Sequence, residues 1–339
     1  DSLITDTLAF ALGQDFEVLA CESRAHAIDL LRQLPEAPPL ALVDLGLPPR
    51  AHSPDEGFQL IADLLAHSPP MKILVLSGQN DAANARHARA LGAAEFVAKS
   101  PADGYTLLLT DLSTHAIMPS LYQKLGFNHA RDLTAVAPVS ASPLIMAAHP
   151  SLGVRNAKEL IALAKRSPGI TCGNSGAGTV THLAAEKFRT RAGIELLSVN
   201  YKGGTTSTVS LMTGELSLIV NTIPAVLEHV KSKKLVAIGI TADKRATALP
   251  DIAALGETVK GVDAAVIAGI LAPANTPRAV IDRLNAEIAK AVDAPKAKES
   301  FLVNAAEALK QTPEVMQSRL EADAKTWAEV VRVTGVKLN

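Results

Sequence analysis

Three short apolar segments near the start of this 339-residue chain each end in one polar residue, and no other feature restricts the fold as much. They are Leu40-Ala41-Leu42-Val43-Asp44, Met71-Lys72-Ile73-Leu74-Val75-Leu76-Ser77 and Ala94-Glu95-Phe96-Val97-Ala98-Lys99. Helical patterns separate them: Ala25 to Leu34, stopped by Pro35, then Phe58 to Ala66 after a Pro-rich loop, then Ala82 to Leu91. A still earlier helix carries Leu3, Ile4, Leu8 and Leu12 on one stripe, and Phe16-Glu17-Val18-Leu19-Ala20 reads as a strand after it. Buried strands alternating with helices build a parallel sheet covered on both faces. Function in such sheets gathers at the carboxyl ends of the strands, so Asp44, Ser77 and Lys99 are expected to meet at one sheet edge.

Composition removes several functional classes. A chain that is 48% apolar with a formal net charge of −1 buries a large core in two or three lobes. Its charges are mixed, without a basic stripe interleaved with aromatics, so no nucleic-acid partner is expected. No apolar run is long enough to span a membrane, and Asp1-Ser2-Leu3-Ile4-Thr5-Asp6 is not an export signal, so no membrane insertion is expected and localisation stays open. Cys21 and Cys172 stand far apart in unlike contexts, which suits two buried thiols better than a metal pair or redox motif, with one disulfide left open.

The first hundred residues resemble a response-regulator receiver domain. Asp44, Ser77 and Lys99 follow successive strands in the order of that family's phosphoacceptor, hydroxyl and lysine, with Leu45-Gly46-Leu47-Pro48 and Gly92-Ala93 in the matching places. The resemblance implies Asp44 as nucleophile toward a phosphoryl donor, Lys99 on the phosphoryl oxygens and Ser77 as reporter of the state. It also implies Mg²⁺ at Asp1 and Asp44, otherwise no cofactor. Only Asp1 remains of the family's acidic pair and its first strand is missing, which weakens both metal binding and phosphotransfer.

Beyond Pro101 the chain changes character, with Gly-Thr-Ser turns that open helices. Ile170-Thr171-Cys172 is a short strand, Gly173-Asn174-Ser175-Gly176-Ala177-Gly178 a turn, and Thr179 to Phe188 a helix. Backbone N–H groups at that helix start, with Asn174, Ser175, Gly176, Gly178, Thr179 and His182 around them, make a carboxylate cradle. No Lys follows Gly178 and the hydrolase elbow lacks its last Gly, so neither a nucleotide loop nor a serine nucleophile is present and no catalytic residue is assigned. Tyr201-Lys202-Gly203-Gly204 and Thr205-Thr206-Ser207-Thr208 form a second helix start of the same kind, with Lys202, Gly203, Gly204 and Thr205 as further ligand contacts. Ser113, Thr114 and His115 follow the strand Thr106 to Leu109 and are expected to face the ligand from the opposite lobe. His115 has no metal-ligand neighbours at suitable spacing.

These segments, together with Pro101-Ala102-Asp103-Gly104-Tyr105-Thr106, Ala248-Leu249-Pro250-Asp251 and Leu271-Ala272-Pro273-Ala274-Asn275-Thr276-Pro277, resemble the solute-binding proteins of tripartite tricarboxylate transporters, the Bug family, over residues 101 to about 336. The resemblance implies a two-lobed periplasmic-binding-protein-like fold, a small carboxylate ligand in the cleft, no enzymatic activity, and transporter membrane subunits as partners if the chain is natural. Ala135-Val136-Ala137-Pro138-Val139 and Leu235-Val236-Ala237-Ile238-Gly239 are the expected crossover strands.

Taken together, the two resemblances make the expected fold α/β and two-lobed, with the first lobe rebuilt from flavodoxin-like receiver elements. Residues 1–100 form the receiver-like segment, 101–140 and 240–339 the rest of the first lobe, and 141–239 the distal binding lobe. The adopted reading is an engineered chimera without selected activity that keeps part of a carboxylate cleft and binds weakly. A functional binding protein for small carboxylates and a phosphoacceptor signalling module are the alternatives.

Overall fold

The computed structural model describes residues 17–44, 47, 55–68, 71–76, 93–122 and 125–336. Asp1, Ser77 and the helices expected at Leu3 to Leu12 and Ala82 to Leu91 lie outside the described residues. Helix α1, Arg24–Gln33, begins where the Ser23 hydroxyl accepts from the His26 amide, and the chain turns extended at Leu34 before Pro35. Strand β1, Leu40–Asp44, leads to α2, Asp55–His67, and to β2, Lys72–Leu76. β1 and β2 pair in parallel, and β2 pairs in parallel with β3, Thr106–Asp111.

Two of the expected strands are not strands. Residues 17–20 have no regular structure. Residues 93–98 are helical, with Ala93, Ala94 and Val97 buried, a one-sided spacing that an apolar run shares with a buried strand. Lys99 therefore follows a helix, and its ammonium pairs one turn back with Glu95.

The sheet continues through β4, Leu133–Ala148, β5, Thr171–Asn174, β6, Leu197–Asn200, β7, Leu218–Thr222, β8, Val236–Ile240, β9, Ala265–Pro273, and the two-residue β10, Glu307–Ala308. The main order is β1-β2-β3-β9-β4-β7-β5-β6. β4 joins two sheets: its first part, Leu133 to Pro143, pairs with β9, and Leu144 to Ala148 pairs with β7 and β8. Register shifts beside Ala135 and Pro138 admit a proline that has no N–H to donate. The crossover expected at Ala135 to Val139 is thus part of β4. The other differs: β8 pairs with β4 in the second sheet, and the chain returns to the first sheet with β9.

Receiver-like and later residues share one core, in which Val43, Ile61, Ile73 and Val97 join Leu108, Leu271 and Met316. Two helices bind this core to the distal one. Helix α3, Leu112–Leu121, contributes Leu112 to the first and Ile117 and Leu121 to the second. The long C-terminal helix Pro313–Thr334 contributes Met316 to the first and Trp327 and Val331 to the second. Burial of such side chains is worth about 1.5–3 kcal/mol each, so the lobes are joined by packing as well as by strands.

Candidate anion-binding cleft

β5 delivers the fully buried Asn174 to the turn before α4, Val180–Ala192. Its Oδ1 accepts from the Gly176 amide at 2.8 Å and its Nδ2 donates to Ser198 Oγ at 3.2 Å. Gly176 and Gly178 have φ of +143° and +72°, which admits the tight turn. Thr179 caps α4, and Thr181 gathers the hydroxyls: its Oγ1 lies 2.6 Å from Ser175 Oγ, 2.9 Å from Thr179 Oγ1, and accepts from the Ser175 amide at 3.0 Å. The Gly178 amide donates to His182 Nδ1 at 3.0 Å, which places the proton of the neutral ring on Nε2. Burial lowers the His182 pKa, against the opposing pull of Glu186.

A second helix start lies against this turn. The Tyr201 amide donates to the Asn174 carbonyl and the Gly203 amide to the Ser175 carbonyl, both at 3.2 Å. Helix α5, Gly204–Met212, follows with Gly203 at φ +123° and no side chain capping it. A Cβ on Gly204 would meet Asn221 Oδ1 at 2.6 Å, while Asn221 Nδ2 donates to the Gly204 carbonyl at 2.8 Å. Lys202 and Thr205 are exposed beside it. Two helix N-termini, each presenting amides that the helix itself does not use, thus stand together with neutral hydroxyl and amide side chains around them.

The first-lobe residues are committed locally. Asp111 caps α3 and ties it to β9, accepting from the amides of Ser113 and Ile267 at 3.0 and 3.1 Å and from the Thr114 hydroxyl at 2.6 Å. Burial raises its pKa against these bonds. The Ser113 hydroxyl donates to the Ala265 carbonyl at 2.7 Å. His115 stacks near Phe127 and His129 and lines a cavity of about 20 Å³ with Gln317 and Glu321, none of them in the two helix starts. Burial, then His129, pulls its pKa down to about 3.

The receiver-like residues are not assembled by what the structure describes. Asp44 ends β1 opposite Leu76, Lys99 is paired with Glu95, and Ser77 and Asp1 lie outside the described residues. Among the described residues no three His, Cys, Asp or Glu side chains are placed to hold a metal ion, and Cys21 and Cys172 are both free thiols, the latter buried and pushed up to about 12. A hollow of about 820 Å³ between α1 and α2 shares no lining residue with the helix starts. Sequence reasoning missed Asp111, Thr181 and Asn221; the Thr179-Val180-Thr181 spacing was the one available signal.

The sequence model for the tripartite tricarboxylate transporter family receptor matches residues 82–335. BugT of Bordetella pertussis is 32% identical over 246 residues, covering 71% of this chain and 75% of that protein. Among solved structures, R. palustris Rpa4515 with adipate superposes with a TM-score of 0.68 at 26% identity, covering 90% of this chain and 100% of that one. The periplasmic binding protein BugD superposes at 0.63 and 26% identity, over 78% of this chain and 87% of its own. The fold is accordingly the two-lobed fold of these binding proteins. The engineered-chimera reading is overturned: the family match begins at residue 82, inside the segment read as receiver, and the Rpa4515 structure superposes on 90% of this chain.

Proposed function

Because the chain belongs to the tripartite tricarboxylate transporter family of receptors, we propose that it is a solute-binding protein that holds a small aliphatic carboxylate between its lobes. One observation carries the reading. The Gly203 amide on the Ser175 carbonyl, at 3.2 Å, sets the starts of α4 and α5 side by side. Their unused amides, with Ser175, His182 Nε2 and Thr205, supply neutral donors for a carboxylate, Thr179 holds the turn by donating to the Gly176 carbonyl at 2.7 Å, and Lys202 adds charge at the rim. Rpa4515, with adipate, supports a dicarboxylate of that length as the first ligand to try.

Ser113 and Thr114 act from the first lobe through the order they impose on α3 and β9. His115 supports the wall behind them. The ligand is passed to membrane subunits in the periplasm, as befits a likeness to the periplasmic binding protein BugD, and the chain itself carries no helix, among the described residues, long and apolar enough to cross a membrane. Calorimetric titration with adipate, succinate, malate, citrate and glutamate tests the function. Saturable binding of at least one, lost when Ser175 and Thr179 are both replaced by Ala, is expected; no binding by any of the five refutes it.

A further inference from the structure

Lys187 lies on α4, whose start forms the cradle, and is only 7% exposed although it carries a charge. Its ammonium donates to the Asp263 carbonyl at 2.6 Å and to Asp263 Oδ1 at 3.2 Å, and stands 5.5 Å from the centroid of the Trp327 ring. Each partner sits at a junction. Asp263 is two residues before β9, the strand that returns to the first sheet, and the next residue, Ala264, is gripped by Thr241. Trp327 stands on the C-terminal helix, which reaches the first-lobe core through Met316.

A buried ammonium is unfavourable unless its donors are satisfied, and here they are satisfied only where the returning chain and the C-terminal helix come against α4. The lysine is seven residues along from Val180, roughly 10 Å from the cradle, too far to touch a ligand held there.

We propose that Lys187 is a positioning residue that couples the carboxylate cradle to the lobe junction, fixing α4 against the returning strand and the C-terminal helix. The inference rests on the carboxylate-binding reading. Ligand affinity and lobe geometry are then set by the same side chain, which itself makes no ligand contact.

Amide hydrogen exchange on the ligand-free protein, wild type against K187M, tests the coupling, and calorimetric titration with adipate follows it. In K187M the amides of residues 263–267 and of the first two turns of α4 are expected to exchange about tenfold faster while those of β1 and β2 keep their rates. The adipate dissociation constant is expected to rise about two- to thirtyfold, and K187R, which keeps a cation and donors at this place, to recover most of the loss. Exchange unchanged at 263–267, or accelerated equally everywhere, overturns the proposal whatever adipate does. A wild type that binds none of the carboxylates refutes the function instead, and the exchange arm still judges the coupling. Should K187M not fold, W327F, with its weaker cation–π face, is expected to accelerate the same segments, and no change there also overturns the proposal.

Discussion

The Thr241 hydroxyl donates to the Ala264 carbonyl at 2.6 Å while accepting from the Leu144 amide at 2.8 Å. Leu144 is where β4 changes sheets, and Ala264 is where the chain leaves for β9. One buried side chain therefore staples both strands that pass between the lobes.

Replacing Thr241 by Val keeps the shape and removes both bonds, leaving a buried carbonyl and amide less well satisfied. A loss of about 1–3 kcal/mol is expected. Urea unfolding should show a lower midpoint at an unchanged slope, since the surface exposed on unfolding stays the same.

At the cradle, T181V removes the oxygen shared by the Ser175 amide and the Ser175 and Thr179 hydroxyls. The donors proposed to meet the ligand lose their orientation although none is deleted. Adipate affinity should fall about five- to thirtyfold by calorimetry, corresponding to roughly 1–2 kcal/mol.

G204A drives a methyl into Asn221, whose amide holds the start of α5. Overpacking there should lower stability by about 1–3 kcal/mol, and displacement of the helix start should weaken adipate binding beyond that seen with a substitution at an exposed residue outside the cleft, such as K244A. Thermal unfolding and calorimetry on the two variants separate the effects.

His115 gives the fold a pH dependence of known sign. Burial pulls its folded pKa down to about 3, below the ordinary histidine value of 6.5, so the unfolded chain binds more protons between them. The stability it contributes is complete above about 6.5 and is lost as pH falls toward about 3. H115F, with a ring suited to the neighbourhood of Phe127 and His129, should flatten the stability profile between pH 4 and 6.5 in urea titrations; His129 and His182, also lowered by burial, retain the remaining slope.

The parallel β1 and β2 and the helix between them could be read because their apolar runs are bounded by turn residues and Pro-rich loops. Residues 93–98 could not, because the five apolar residues around Glu95 fit a buried strand and a half-buried helix equally well. The two glycine-rich helix starts were visible as Gly-Ser-Thr turns ahead of apolar stripes. Their partners were not: Asn221 near the end of β7 and Thr241 just past β8 look like any polar residue at a strand end, and only the three-dimensional register brings them to Gly204 and Ala264. Ser113 and Thr114 look like free donors in the sequence because nothing in it reveals that Asp111 and Ala265 occupy them.

Seen as a process in time, the discontinuous first lobe sets an order of assembly. Its core joins Val43 and Ile73 to Leu271 and Met316, contacts that must wait while some two hundred residues are threaded between them. The far side of the second sheet has almost no such delay, since Ile145, Leu211, Ile219, Val226, Ile240 and Ala254 come from one uninterrupted stretch. The far side of the distal sheet is therefore expected to form before the first lobe closes, and in pulse-labelled refolding the amides of residues 145–254 should acquire protection before those of β1 and β2.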